Sequence, residues 1–222
     1  MTGGTPRPAS AGSGGPGTRS GPRRIGVFGG TFDPPHIGHL VAAVNVRHAL
    51  ELDVVLLIPA GSPWQKLGTR AITPAPDRLA MVQAAVAGVE GLEACDLEVE
   101  RSRAAGGDPA PSYTVDTLLA LSDRYPGAQL FVIVGTDAAA GLPSWSRPDE
   151  VVRLARFVVV DRPGTAPDLP ALTEWIRVEV PHLEVSSTDL RARFVDGRPL
   201  EFLVPDGALD VARQRSLYGA AR

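Results

Sequence analysis

Gly29-Gly30-Thr31-Phe32-Asp33-Pro34-Pro35-His36-Ile37-Gly38-His39-Leu40 is the stretch on which the reading of this chain turns. It follows a short apolar run, Arg24-Ile25-Gly26-Val27-Phe28, with the character of a strand, and leads into a helical pattern near 37–50. A glycine pair at the carboxyl end of a first strand lets the backbone approach an anionic ligand without side-chain obstruction. His36 and His39 lie three residues apart where the helix begins, so both imidazoles can face the same point. Donors gathered at a helix N-terminus, where the peptide dipole is positive, favour phosphate.

Other chemistries for this segment fail on composition. Zinc needs a further Cys, His or carboxylate in reach, and the one cysteine, Cys95, lies far along the chain. Cys95 itself reads as a small buried hydrophobe. The Walker phosphate loop requires Gly-x-x-x-x-Gly-Lys-Ser/Thr, which is missing here. A Gly-x-Gly-x-x-Gly string occurs at Gly12, Gly14 and Gly17, but it precedes any strand and sits in low-complexity sequence.

Working outward, residues 1–24 contain four arginines, no acidic residue, and no Ile, Leu, Val or aromatic. Such a segment buries too little apolar surface to offset its chain entropy, and disorder is expected over 1–23. It has neither the apolar centre of a signal peptide nor the amphipathic helix of a transit peptide. Setting those four arginines aside leaves 18 basic against 25 acidic residues, a net charge of −7. An acidic domain is a poor nucleic-acid binder, so any phosphate chemistry must come from a local pocket. No run approaches the roughly 18 apolar residues of a membrane span. A single cysteine suits a reducing cytoplasm. Lys66 is the only lysine in a chain that otherwise uses arginine.

Apolar, β-branched runs at 24–28, 53–59, 129–134 and 156–160 predict parallel strands buried on both faces, with weaker candidates at 94–99 and 177–180. Helical patterns near 37–50, 76–88, 113–124 and 149–155 separate them. This alternation is that of an α/β, doubly wound sheet, whose ligand crevice lies at the carboxyl ends of the strands. Residues 24–222 form one domain on this reading. Its last part, 185–222, is expected to be a small helical subdomain packed against the sheet. One helix starts at Ser186-Ser187-Thr188-Asp189 and ends at Gly197 and Pro199; another spans about 206–217. Ser186, Ser187, Thr188 and Arg191 bring hydroxyls, amides and a guanidinium to one helix start, a combination that grips polyphosphate.

Taken together in order, these motifs resemble the bacterial nicotinate-nucleotide adenylyltransferases, within the nucleotidyltransferase superfamily marked by His-x-Gly-His. The resemblance runs from about residue 24 to Tyr218. Besides Gly29–His39 it includes Ser62-Pro63-Trp64-Gln65-Lys66, Ser112-Tyr113-Thr114-Val115-Asp116-Thr117-Leu118, and Gly135-Thr136-Asp137-Ala138 with Leu142-Pro143-Ser144-Trp145. Val185-Ser186-Ser187-Thr188-Asp189-Leu190-Arg191 and Phe202-Leu203-Val204-Pro205-Asp206 complete it. The chain departs from the pattern at Ser146-Arg147-Pro148, where relatives carry a more aromatic or polar stretch.

The resemblance implies a reaction: ATP, carried with Mg²⁺, and nicotinate mononucleotide give nicotinate adenine dinucleotide and pyrophosphate. It implies catalytic roles for His36, His39, Lys66 and Arg191. Gly29, Gly30, Thr31, Phe32, His36 and His39 would meet ATP, with Asp137 on a ribose and Ser187, Thr188 and Arg191 on the β- and γ-phosphates. Lys66, Thr114 and Trp145 would hold nicotinate mononucleotide, Trp145 by stacking on its ring. Without the motif, Trp145 reads as a core or rim aromatic and Thr114 as a helix cap. Asp33 is expected to brace its turn rather than to ligate metal, and no protein side chain is expected to hold a metal. The same chemistry on nicotinamide mononucleotide or phosphopantetheine, or a silent nucleotide-binding regulator, are the competing readings. A homo-oligomer is compatible with the sequence, which does not fix oligomeric state.

Overall fold

The apolar runs become one parallel sheet in the computed structural model, which describes residues 22–63, 71–105, 111–161 and 168–219. Its strands are β1 (Arg24–Gly30), β2 (Val54–Pro59), β3 (Leu92–Ala94), β4 (Gln129–Gly135), β5 (Arg156–Asp161) and β6 (Trp175–Glu179). They lie in the order β3-β2-β1-β4-β5-β6, every neighbouring pair parallel. All six residues of β2 are buried, which is why Val-Val-Leu-Leu-Ile-Pro shows no alternation. Burial of each such aliphatic side chain contributes about 2 kcal/mol of transfer free energy.

Helices cover both faces. On one, Val115, Leu118 and Leu121 of α4 (Thr114–Arg124) pack on Leu56, Val132 and Phe157. On the other, Ala43 and Val46 of α1 (Ile37–Ala49), with Val82 and Val86 of α2 (Ala75–Val86), pack on Leu57, Phe131 and Val158. Cys95 is buried in the first of these layers, and burial raises its thiol pKa. The strand order reverses between β1 and β4, so the crevice that receives ligands in such sheets opens at the carboxyl ends of those two strands.

Two stretches differ from the sequence reading. The strand expected over 94–99 is instead β3, ending at Ala94, followed by α3 (Leu97–Ala104). Leu97-Glu98-Val99-Glu100 alternates like a strand, yet Glu98 and Val99 are both buried, as one face of a short helix against the sheet requires. The weaker candidate at 177–180 is β6, which begins two residues earlier, at Trp175; Asp137 lies just past β4, in the first turn of α5 (Thr136–Ala140). α6 (Pro148–Leu154) then leads into β5.

At the other end of the chain, α7 (Ser187–Asp196) and α8 (Asp206–Gln214) share a separate apolar cluster with Met81 and Ala85 of α2. The C-terminal helices therefore rest on the sheet through α2 rather than directly. Ser186 caps α7 by accepting the Asp189 amide at 3.2 Å, and Gly197 ends it in the left-handed region at φ 75°. Among the described residues, no helix is long and apolar enough to cross a membrane. Lys66 and residues 1–21 of the expected tail lie outside the described residues.

Candidate active site

Between β1 and α1 the chain turns sharply at Phe32, whose φ of 49° is unusual for a bulky side chain. Distant side chains hold that turn in place. Arg78 donates to the Thr31 carbonyl at 2.8 Å, Arg191 to that of Asp33 at 2.7 Å, and Ser187 to that of Pro34 at 2.9 Å. The Tyr218 hydroxyl donates to Oδ1 of the buried Asp33 at 2.6 Å. Burial first, and then this bond, push the Tyr218 pKa upward. Asp33 does brace the turn, as expected from the sequence. Strain at Phe32 persists because its surroundings over-determine it.

The two histidines meet as the spacing implies. Their rings stack with centroids 3.7 Å apart and planes 24° from parallel. The His36 amide donates to Nδ1 of His39 at 3.1 Å, so a neutral His39 carries its proton on Nε2, at the opposite edge of the ring. Phe32 packs edge-on against that ring, centroid to centroid 4.9 Å. Burial lowers the His36 pKa from 6.5 to about 4, and its buried Nδ1 has no hydrogen-bond partner among the described residues. His36 is therefore neutral at pH 7.

Gly38, between the pair in sequence, is closely packed. A Cβ there would come within 3.0 Å of Val185 Cγ1 and 3.1 Å of His36 Nδ1. Gly29 faces open space, whereas a Cβ on Gly30 would strike the Phe32 ring at 2.9 Å. One part of the helix-terminus expectation needs correction. The first amide of α1, Ile37, is already spent on the Leu203 carbonyl at 2.9 Å, so it does not serve an incoming phosphate.

A cavity of about 190 Å³ opens beside this turn. Gly29, Gly30 and Thr31 form one side; Thr114 at the start of α4, with Trp145 and Ser146, forms the other. Trp145 packs edge-on to Phe157 at 6.2 Å, and its buried indole Nε1 has no hydrogen-bond partner among the described residues. Glu98 reaches the cavity from α3. Burial raises its pKa, while bonds from Thr117 (2.6 Å) and Ser112 oppose that shift. Arg147, left-handed at φ 51°, caps the wall by pairing with Asp116 of α4 and, at 3.3 Å, with Glu150.

Of the residues singled out in the sequence, Gly29, Gly30, Thr31, Thr114 and Trp145 share this cavity; Phe32, His36 and His39 stack on one another in the turn that follows Thr31 and are not part of its lining. Ser187 and Arg191 converge on Asp33 and Pro34, and Arg191 also donates to Thr188 Oγ1 at 3.2 Å. The exposed Asp137 stands one residue before Ala138 of the cavity lining. Arg78, Glu98 and Tyr218 were missed. Only their burial and long-range bonds reveal them, and no local spacing signals either. Among the described residues, no group of three or more His, Cys, Asp or Glu could hold a metal ion.

Comparison with known proteins agrees with this geometry. The cytidylyltransferase-like family model matches residues 27–193. The probable nicotinate-nucleotide adenylyltransferase of Corynebacterium kroppenstedtii is 44% identical over 199 residues, 88% of this chain and 90% of that protein. That of Roseiflexus sp. is 44% identical over 203 residues, 87% of this chain and 97% of that protein. In fold, the chain is similar to the Plasmodium falciparum nicotinic acid mononucleotide adenylyltransferase complexed with NaAD. The TM-score is 0.69 at 15% identity, covering 90% of this chain and 98% of that one. Identity at this level, over nearly all of a chain whose turn presents His36 and His39 together, places it in the nicotinate-nucleotide adenylyltransferase family of cytidylyltransferase-like proteins.

Proposed function

We propose that this chain transfers the adenylyl group of ATP to nicotinate mononucleotide, releasing pyrophosphate and forming nicotinate adenine dinucleotide in NAD biosynthesis. One observation carries the reading: the stacked His36–His39 pair sits in the turn that leaves Gly29, Gly30 and Thr31, and those three line a cavity together with Trp145 and Thr114. A pair of imidazoles next to an open backbone suits phosphate, and an aromatic wall suits a pyridine ring.

The acceptor's 5′-phosphate oxygen attacks the α-phosphorus of ATP in line. A new P–O bond forms, the bond to the bridging oxygen breaks, and pyrophosphate leaves with that electron pair. The nucleophile is already an anion, so no protein base is needed. Catalysis then consists of holding two polyanions together and stabilising charge on the equatorial and leaving oxygens. His39 donates from Nε2 to that charge, and the neutral His36 offers one N–H. A single contact of this kind lowers a barrier by about 3 kcal/mol.

Ser187, Thr188 and Arg191 receive the leaving β- and γ-phosphates, and the Asp137 carboxylate accepts from a ribose. Trp145 stacks on the nicotinate ring, with Thr114 near its carboxylate; the family motif assigns Lys66 to the acceptor phosphate. Mg²⁺ carried with ATP would supply neutralisation of phosphate charge, with phosphate oxygens and water rather than these side chains as its main ligands. The reaction takes place in the cytoplasm on this reading.

Pyrophosphate release from ATP and Mg²⁺, with nicotinate mononucleotide and its amide supplied separately, tests the proposal. Fast release with the acid and slow release with the amide is the expected result. Comparable rates make the enzyme dual-specific, and no release with either overturns the assignment in favour of phosphopantetheine or a silent regulator.

A further inference from the structure

Arg78 is the largest fully buried side chain among the described residues, 1% exposed, and it stands in the first turns of α2. Both facts count against it. Burial costs a cation its hydration, and a positive charge is unfavourable near a helix N-terminus. The guanidinium is retained there by backbone carbonyls from three separate segments. Nε donates to Thr73 at 2.8 Å, Nη1 to Thr31 at 2.8 Å, and Nη2 to Ala60 at 2.5 Å, with Gly61 at 3.5 Å.

These carbonyls follow directly on the end of a ladder. β1 and β2 are in register as far as Gly30 opposite Pro59, and the Ala60 amide makes the next rung to the Gly30 carbonyl at 2.9 Å. Beyond it the two chains carry on as loops, and Thr31 and Ala60 both line the substrate cavity. Where the ladder stops, the rigid fork of one guanidinium ties the two loops together.

We propose that Arg78 is a positioning residue for adenylyl transfer. It touches no reacting atom. It fixes the Gly29–Thr31 end of β1 against the Ala60 loop, and so sets the spacing at which the backbone of the turn meets the reacting phosphates. The inference rests on the function proposed above. Since misplacement by about 1 Å costs on the order of 100-fold in rate, the loss falls on kcat.

The test is steady-state kinetics of Arg78→Lys and Arg78→Gln, with Val86→Ala as a buried control at the far end of the same helix. Lysine keeps the charge but, as a point donor, cannot span the three segments. A folded Arg78→Lys is expected to lose about 30- to 100-fold in kcat, with both KM values within about threefold of wild type. Val86→Ala is expected to lose stability and keep its kcat. A folded Arg78→Lys with kcat within about twofold of wild type overturns the proposal, as does failure of both Arg78 variants to unfold cooperatively in urea, which makes the residue structural only. Wild-type protein without turnover overturns the reading beneath it, whereas active wild type with an unimpaired variant overturns this inference alone.

Discussion

The two walls of the cavity are held in opposite ways. The turn between β1 and α1 is pinned by Arg78, Ser187, Arg191 and Tyr218, partners 47, 153, 158 and 185 positions away in sequence. The wall around Trp145 is shaped mainly by neighbours: the Ser144 and Trp145 amides bond to Gly141 and Leu142, and Arg147 pairs with Glu150. Its long-range polar tie among these is the Arg147–Asp116 pair, with side chains 47% and 39% exposed. A wall built from tertiary bonds resists change, while one built from a local turn can vary without unfolding the domain. On the function proposed above, the phosphate chemistry falls to the first. The second, proposed to meet the acceptor, carries Ser146-Arg147-Pro148, where a departure from the family pattern is expected.

Substitutions on either wall sharpen or break this contrast. The largest effect is expected from His39→Ala, which should cut kcat by about 100- to 1,000-fold with little change in the urea midpoint; full activity would remove the histidine pair from the mechanism. Next comes acid sensitivity. The unfolded chain binds a proton at His36 near pH 6.5 and the folded one only near 4, so stability is complete above pH 6.5 and is lost as pH falls toward 4. The loss from this group is at most about 3 kcal/mol. Urea melts across that window should be flatter for His36→Asn, and an unchanged slope would assign the acid limb elsewhere.

Tyr218→Phe removes the donor from a buried carboxylate and should cost about 2 kcal/mol of stability, measured by the same melts. On the acceptor wall, Trp145→Ala should raise the KM for nicotinate mononucleotide about tenfold and leave that for ATP within about twofold, which separates the two walls kinetically. Arg147→Ala should do least. An exposed pair is worth about 0–1 kcal/mol, so a change beyond about threefold in acceptor KM would show the second wall to be as constrained as the first.

What could be read from the sequence follows the same division. Residues whose role depends on their immediate neighbours were legible: the β-branched runs of β1, β2, β4 and β5, the Ser186 cap of α7, the spacing that brings His36 and His39 together. Leu97–Ala104 was not, because alternation over four residues fits a strand and a short helix equally, and packing on the sheet decides between them. Arg78, Glu98 and Tyr218 were invisible for a related reason. Each does its work by hydrogen bonds to a segment remote in sequence, and an arginine, a glutamate or a tyrosine in a helix or turn looks the same whether it reaches such a partner or solvent. Arg191 was visible for its expected grip on phosphate, and only the structure shows that one of its nitrogens also holds the Asp33 carbonyl.

The bond from Tyr218 to Asp33 also orders events in time. The residues of the turn are among the first of the domain to be made, yet their carboxylate acquires this partner only 185 residues later. During synthesis the histidines are in place long before the turn that aims them is secured. A nascent chain thus carries His36 and His39 before Ser187, Arg191 and Tyr218, the distant partners that hold their turn, have been made.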